Sequence, residues 1–275
     1  MSKQTILEKK SFYEVLTIIF VGISAIGFII FLGSPFMGMF MFMGGALAAG
    51  AVSKRFKTIS IEFKKTYVKQ TIEGLVDEAN YDPKLGFTKE EIYESGVLLK
   101  QDRFHSEDML SGSLNKRPFR CADVHLQDVR SNGKSTTVVT IFKGRYYEIL
   151  VEKPFKAPIH VLNNNTTLFG KRNGYPKIEL EWVEFNKKFD VYSSDEFETF
   201  KLLKPVVMEK ILALKQRFDK LLIGFVGNKI ILAINNNKDA FDLRLFHKFD
   251  DSYVNEIKQE FNELEEIINT LEVIL

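Results

Sequence analysis

The stretch Val15–Ser53, VLTIIFVGISAIGFIIFLGSPFMGMFMFMGGALAAGAVS, runs for 39 residues without a charge, between Glu14 and Lys54. As one helix it would extend about 58 Å, roughly twice the ~30 Å hydrocarbon core of a bilayer. Gly33-Ser34-Pro35 near its middle is a turn signal that interrupts a helix. The stretch therefore predicts two membrane spans, about 15–32 and 36–52, joined by a very tight turn, with residues 1–55 as a membrane hairpin.

The flanking charges set the orientation. Lys3, Lys9 and Lys10 precede the first span, Lys54, Arg55 and Lys57 follow the second, and the turn carries none. Basic residues near span ends stay cytoplasmic, so both termini are expected there, in the cell membrane. Phe12 and Tyr13 stand where an interfacial aromatic anchor belongs. The rival reading is a signal peptide with Lys9-Lys10 as its basic region and Ala46-Leu47-Ala48 as its cleavage site. The apolar run is far longer than the ~7–15 residues a signal peptide uses. Gly45-x-x-x-Ala49 and Ala46-x-x-x-Gly50 permit close helix approach. Packing within the hairpin is the favoured reading, since the turn already forces the spans together; dimerisation is the alternative. Met37, Met39, Met41 and Met43 alternate with phenylalanines, fall on different helix faces, and read as lipid-facing filler rather than metal ligands.

Five of the 38 basic residues and two of the 36 acidic ones lie in residues 1–55, leaving 33 and 34 beyond them. A near-neutral domain of this kind excludes the basic surplus of nucleic-acid binding. Its length allows a substantial core. Cys121 is the only cysteine, so there is no intrachain disulfide and no thiolate metal cluster, as suits a reducing cytoplasm. The 25 phenylalanines and recurrent Lys, Asn and Ile suggest an AT-rich bacterial genome.

Phe56, Ile59, Phe63, Tyr67, Ile72, Leu75, Val76 and Ala79 recur at helical spacing. They predict that the second span runs on into an amphipathic juxtamembrane helix ending near Tyr81-Asp82-Pro83, within a helical linker over 56–96. Lys54, Arg55, Lys57, Lys64 and Lys65 make its first part basic. They read either as the ordinary positive-inside signal or as contacts to anionic lipid. Thr88-Lys89-Glu90-Glu91 is a capping box for a short helix that Gly96 closes.

The remainder, 97–275, is predicted to be a cytoplasmic α+β domain of antiparallel sheet with flanking helices and a C-terminal amphipathic helix. Phe104–Gly112 reads as a polar loop. Phe119–Val129 alternates, with Ala122, Val124 and Leu126 on one face and Asp123, His125 and Gln127 on the other. Asn132-Gly133 is a type I′ turn signal, predicting a long hairpin onto Thr137–Val151 with a bulge around Phe142-Lys143-Gly144. Strands are expected at Ile159–Leu162, Ile178–Phe185 and Phe189–Tyr192, with Trp182 in the core. Ser193-x-x-Glu196 reads as a second capping box, opening a helix that Pro205 divides. Gly227-Asn228 joins strands Leu221–Val226 and Ile230–Ile234, and Phe241–Phe246 adds an edge strand. From Ser252, Val254, Ile257, Phe261, Leu264, Ile268, Leu271 and Leu275 form a heptad seam widened by Ile267 and Ile274. The wide stripe favours docking on the chain's own sheet; a coiled-coil partner is the alternative.

No phosphate-binding loop, nucleophile elbow, H-E-x-x-H, C-x-x-C or calcium loop occurs. Leu168–Gly174 has glycines and basic residues without the strand–loop–helix frame. Among the four histidines no pair stands at i, i+4. The densest polar group is His105, Glu107 and Asp108, with Arg103 and Ser106. Imidazole and two carboxylates can converge on a metal or a cationic ligand; a loop-and-cap role for Ser106 or Asp108 is the plainer alternative. No cofactor, metal site or catalytic set is predicted from the motifs.

His105-Ser106-Glu107-Asp108, Asp123-Val124-His125 and Thr140-Ile141-Phe142-Lys143-Gly144 occur in order. They are followed by Glu184-Phe185-Asn186-Lys187-Lys188-Phe189-Asp190-Val191-Tyr192-Ser193, Ile223-Gly224-Phe225 and Ile230-Ile231-Leu232-Ala233-Ile234. With the hairpin before them they resemble the bacterial membrane family called domain of unknown function 3137, over roughly Leu99 to Ala240. That family often has tyrosine where this chain has Phe104, so a hydroxyl there is not essential. The resemblance brings no catalytic residues. It implies at most a candidate partner among small coiled-coil membrane proteins of the LemA type. The expectation is a membrane-tethered binding or scaffold module with the bilayer, and a membrane or coiled-coil protein, as partners. The alternatives are a membrane-bound hydrolase or metal-dependent enzyme centred on His105, Glu107 and Asp108, or an anionic-lipid sensor.

Overall fold

Gly33-Ser34-Pro35 ends one helix and starts another: the computed structural model has α1 at Lys3–Phe31 and α2 at Pro35–Phe63, with Pro35 in the first turn of α2. The structure describes residues 3–164, 174–239, 241–243, 245–247 and 251–271. The Leu168–Gly174 segment, except Gly174, and the seam residues Ile274 and Leu275 lie outside them. Residues 4–31 and 35–73 form helical stretches long and apolar enough to cross a membrane, and their most apolar windows are only 6% and 17% buried.

Two compact units emerge, Met1–Thr71 with Phe241–Ile257, and Ile72–Ala240 with Lys258–Leu275. In the first, α1 and α2 pack closely. A Cβ at Gly45 would stand 2.7 Å from the amide nitrogen of Ser24, so this small residue serves the hairpin's own interface. Beyond α2 a π-helical turn, Lys64–Val68, leads into α3, Lys69–Glu73. The C-terminal part of this unit returns to the hairpin. The Phe246 amide donates to Glu14 at 2.7 Å, the Leu243 amide donates to Ser60 Oγ at 3.3 Å, and Tyr253 packs edge-on against Phe63. The described residues of Phe241–Phe246 are turn and coil, so the expected edge strand is absent there.

The second unit is α+β. One nine-stranded antiparallel sheet runs through the described residues in the order β1-β2-β3-β4-β9-β8-β5-β7-β6. The strands are β1 Asp77–Asp82, β2 Arg103–Leu114, β3 Arg117–Ser131, β4 Thr136–Leu150, β5 Ile159–Asn163, β6 Lys177–Ile178, β7 Phe189–Ser193, β8 Leu221–Val226 and β9 Lys229–Ile234. Helices α4 Lys89–Glu94, α5 Val183–Asn186, α6 Glu196–Leu202, α7 Pro205–Arg217 and α8 Asp251–Leu271 complete the order.

Three expectations are corrected by β1, β6 and α5. The juxtamembrane helix stops at Glu73 before Gly74, and residues 77–82 pair with β2, Tyr81 opposite Leu110. Sheet pairing there overrides a helical apolar spacing. Likewise Ile178–Phe185 is not one strand. Only Lys177–Ile178 pairs with β7, and Trp182 leads half-buried into α5. The second helix cap moves two residues, since Asp195, not Ser193, accepts the Glu198 amide at 3.0 Å. The Thr88 capping box forms as expected.

The β3–β4 hairpin holds Val129 opposite Val138. Its turn is shifted by one from the Asn-Gly reading. Gly133 (φ +80°) and Lys134 are the central residues, and Asn132 Oδ1 accepts both the Lys134 and Ser135 amides. The bulge falls at Ile141, between the Gln127–Thr140 and Leu126–Phe142 pairs. Gly144 is required where it stands: a Cβ would come within 2.0 Å of the Ile234 carbonyl oxygen on β9.

One sheet face carries Ala122, Val124, Tyr146, Ile231 and Ala233 against Phe87, Ile92, Val97 and Leu98 around α4. The other face carries Asp123 and Arg145, and Arg145 pairs with both Asp123 and Glu260 of α8. In α8, Ile257, Phe261, Leu264, Ile267, Ile268 and Leu271 are buried, as the seam predicts. Val254 is only half-buried and Tyr253 takes the inward place. Asn269 bonds Asn115, and Glu263 and Glu266 meet Arg217 of α7, so this part of the seam serves the chain itself.

Candidate functional site

The segment holding His105, Glu107 and Asp108 is strand β2, not a polar loop. Residues 103–114 pair with β3 along their length, and the Leu114–Arg117 pair is closed by Asn115 and Lys116 at φ +51° and +63°. Two consecutive left-handed residues make a type I′ turn, here spelt Asn-Lys rather than Asn-Gly. That spelling hid the hairpin from the sequence reading.

Pairing brings His105 directly opposite His125, and His125 opposite Lys143. His105 Nε2 lies 3.4 Å from Glu107, His125 Nε2 lies 3.2 Å from Thr140 Oγ1, and Lys143 pairs with Asp239 at 2.7 Å. Partial burial and the neighbouring Lys143 ammonium hold His125 below the usual imidazole range, which keeps it neutral near pH 7. The His105 side chain is 60% exposed. A row of two imidazoles, an amine and carboxylates thus crosses three strands at the surface.

Asp108 departs from this row. Glu107 faces Asp123 and Leu110 faces Cys121, so Asp108 and Met109 together oppose the single residue Ala122 in a β-bulge. Asp108 sits at φ +60°, fully buried, and accepts from the Tyr81 hydroxyl. The bulge is what turns this carboxylate inward. His105, Glu107 and Asp108 therefore do not converge as a set of three. Among the described residues no group of three or more His, Cys, Asp or Glu is arranged to hold a metal ion.

Asp108 joins a network the sequence reading missed. Buried Arg145 contacts Asp123 and Glu260, each at 2.9 Å, tying β4 to β3 and to α8. Burial raises the Glu260 carboxyl above its usual range against the pull of Arg145, and Glu263 and Asp108 add to the rise. The same burial pushes the Cys121 thiol up to about 12, so it is inert rather than nucleophilic. The signal that could have found the network is charge at alternating strand positions, Asp123 and Arg145, together with Glu260 beside the apolar stripe of α8.

The opposite face has its own ion group. Arg120 reaches Glu148 at 2.6 Å and Glu91 of the α4 capping box at 3.1 Å, and Lys229 reaches Glu148 at 3.0 Å. Arg120 also lies 5.1 Å over the Phe87 ring. His160, 3% exposed, bonds the Ser95 carbonyl oxygen at 2.9 Å and is a core histidine. Of the five candidate lipid contacts, Lys64 is buried against Asp242, while Lys54, Arg55, Lys57 and Lys65 are exposed.

Residues 140–273 match the family model described as protein of unknown function (DUF3137). This segment belongs to the DUF3137 family. The match contains the Phe142-Lys143-Gly144 and Glu184–Ser193 stretches, Arg145 and the whole described part of α8. His105, Asp108 and Asp123 precede it, so the DUF3137 segment holds one side of the ion network and β2–β3 supply the other. No curated protein matches the chain. Among solved structures, the crystal structure of the mycobacterial trehalose monomycolate transport factor A, TtfA, is similar at 6% identity with a TM-score of 0.37. The likeness covers 70% of this chain and 88% of that one, and at this score it supports no conclusion about function.

Proposed function

We propose that the chain is a membrane-tethered binding or scaffold module. Its two apolar helices cross the bilayer as a hairpin with both ends cytoplasmic, and its sheet unit acts as a platform for a membrane or coiled-coil partner. The observation that carries this reading is how the two units use their surfaces. The helices leave their apolar windows almost wholly uncovered, with Lys54, Arg55 and Lys57 exposed at the end of the second. The sheet unit instead engages Asp123, Arg145 and Glu260 on one face and Arg120, Glu148 and Glu91 on the other in holding its own layers together. Charges engaged in that way stabilise a rigid platform rather than a reaction centre. The row of exposed His105 and half-buried His125 and Lys143 supplies polar recognition groups on that platform.

Two measurements test the reading. A cysteine at Ser34 should react with an impermeant maleimide on intact cells, while one at exposed Lys57 should react only after permeabilisation; the reverse pattern overturns the topology. A pull-down of the full chain from its own solubilised membranes should recover a stoichiometric protein partner, weakened by His125→Ala with Lys143→Ala. Recovery of no partner, together with an activity abolished by Glu107→Gln, would replace the module reading with the enzyme one.

A further inference from the structure

We infer that the β3–β4 hairpin is a self-association arm: its outer edge at Thr136–Thr140 pairs antiparallel with the same edge of a second copy of this chain. β4 pairs with β9 only from Arg145 to Leu150, and Asn235 occupies that edge at Ile141, its side-chain amide bonding the Ile141 carbonyl. Before Ile141, β4 has β3 on one side, and among the described residues no strand lies on the other.

Alternation fixes which groups face outward. The Asn132 amide bonds the Ser135 carbonyl, so that pair turns its backbone groups toward each other and Ser131–Thr136 turns them away. Counting along the ladder, Thr137 and Val139 bond to β3, while Thr136, Val138 and Thr140 direct N–H and C=O away from it. The neighbouring strand supports the assignment. Val129, opposite Val138, also turns its amide outward, and there Asp102 accepts it at 2.7 Å. One side of the arm is thus capped by a carboxylate and the other is open.

The open edge also lacks the usual protection. Exposed edges are normally blunted by charge, proline or brevity. Outer strand β1 carries Asp77, Glu78 and Asp82, with Glu78 at φ +53°, and β6 has only two residues. By contrast Ser135–Phe142, STTVVTIF, has no charge and no proline, and Thr136–Val138 are exposed.

The occupant follows from self-complementarity. Antiparallel pairing about Val138 sets Thr136 opposite Thr140 and Val138 opposite its own copy. These are the residues whose backbone groups point outward, so one register satisfies all of them with about six hydrogen bonds. Thr–Thr and Val–Val are favourable cross-strand pairs, and no like charges meet. Such an isologous contact closes as a two-fold dimer. The inference needs only the sheet unit and stands apart from the membrane reading.

The test uses the full chain in detergent. Val138→Cys should cross-link to a homodimer with a short bis-maleimide, against a background kept clean by buried Cys121, and Arg130→Cys on the capped edge should not. Val138→Lys and Thr136→Lys set charges on the shared edge and should abolish the dimer in sedimentation, with circular dichroism and melting unchanged; the second variant serves if the first perturbs folding. Absence of the Val138→Cys cross-link overturns the inference, as does a dimer that survives both lysines. A cross-link formed in cells only to a different polypeptide would overturn the assignment to a second copy.

Discussion

Arg145→Met removes a buried cation that ties β4 to β3 and to α8. The side chain is 4% exposed and contacts Asp123 and Glu260 at 2.9 Å. Methionine fills much of the volume, so the main loss is charge. Breaking a buried ion pair from one side costs about 3–5 kcal/mol, because the remaining carboxylates lose their counter-charge. A folded domain holds about 5–15 kcal/mol in all. In a unit of this size each kcal/mol moves the melting point by about 2–4 °C, so a drop of roughly 6–20 °C is expected. Trp182, the only tryptophan, lies in the sheet unit and reports its unfolding in urea. The midpoint should fall with the slope preserved.

The loss should depend on pH in one direction. Without the pull of Arg145 that opposes its burial, Glu260 holds its proton still more tightly in the folded state than in the unfolded one. Groups with a raised folded pKa contribute stability that is full below the unfolded value, near 4.5 for Glu260, and lost as pH rises through the folded value. The variant should therefore stand close to the native chain near pH 4.5 and fall furthest behind at pH 8. Adding Asp123→Asn and Glu260→Gln should restore most of the lost stability at pH 8. A midpoint shift worth less than ~1 kcal/mol, or a triple variant as weak as the single one, would refute the electrostatic reasoning. The second result would assign the loss to the arginine's packed methylenes.

Leu264→Ala should cost about 2–5 kcal/mol, since Leu264 is 2% exposed in the α8 seam; unchanged melting would mean α8 does not dock on this domain. Gly144→Ala should destabilise well beyond the ~0.5 kcal/mol of an ordinary surface change, because its methyl meets the Ile234 carbonyl; an equal midpoint would contradict the β4–β9 approach. Cys121, with its thiol near 12, should resist maleimide at pH 7 in the folded chain and react once denatured; prompt labelling of the native protein would mean the α8-covered face opens.

What was legible in the sequence was whatever a single segment decides. An uncharged run with a Gly-Ser-Pro break gives two helices, Thr88 and Glu91 cap α4, and Gly227-Asn228 turns a hairpin between β8 and β9. What was not legible depends on partners distant in the chain. Asp77–Asp82 has poor strand propensity, and it is a strand because the edge of β2 is there to receive it. Alternation placed Asp123 on a polar face and by default in water, but α8 covers that face as α4 covers the other. In a sheet covered on both sides, both sets of alternating positions are interior, and a charge left on either must find its opposite. Asp123 and Arg145 meet across neighbouring strands, and Glu260 arrives from a helix over a hundred residues later. The bulge at Asp108 has the same origin. One extra residue in β2 swings a third carboxylate beneath α8, which no two-residue period in the sequence foretells. An arginine held between two carboxylates adds a directional constraint to the close-packed apolar stripe, so Arg145 helps to set where this part of α8 settles along the sheet.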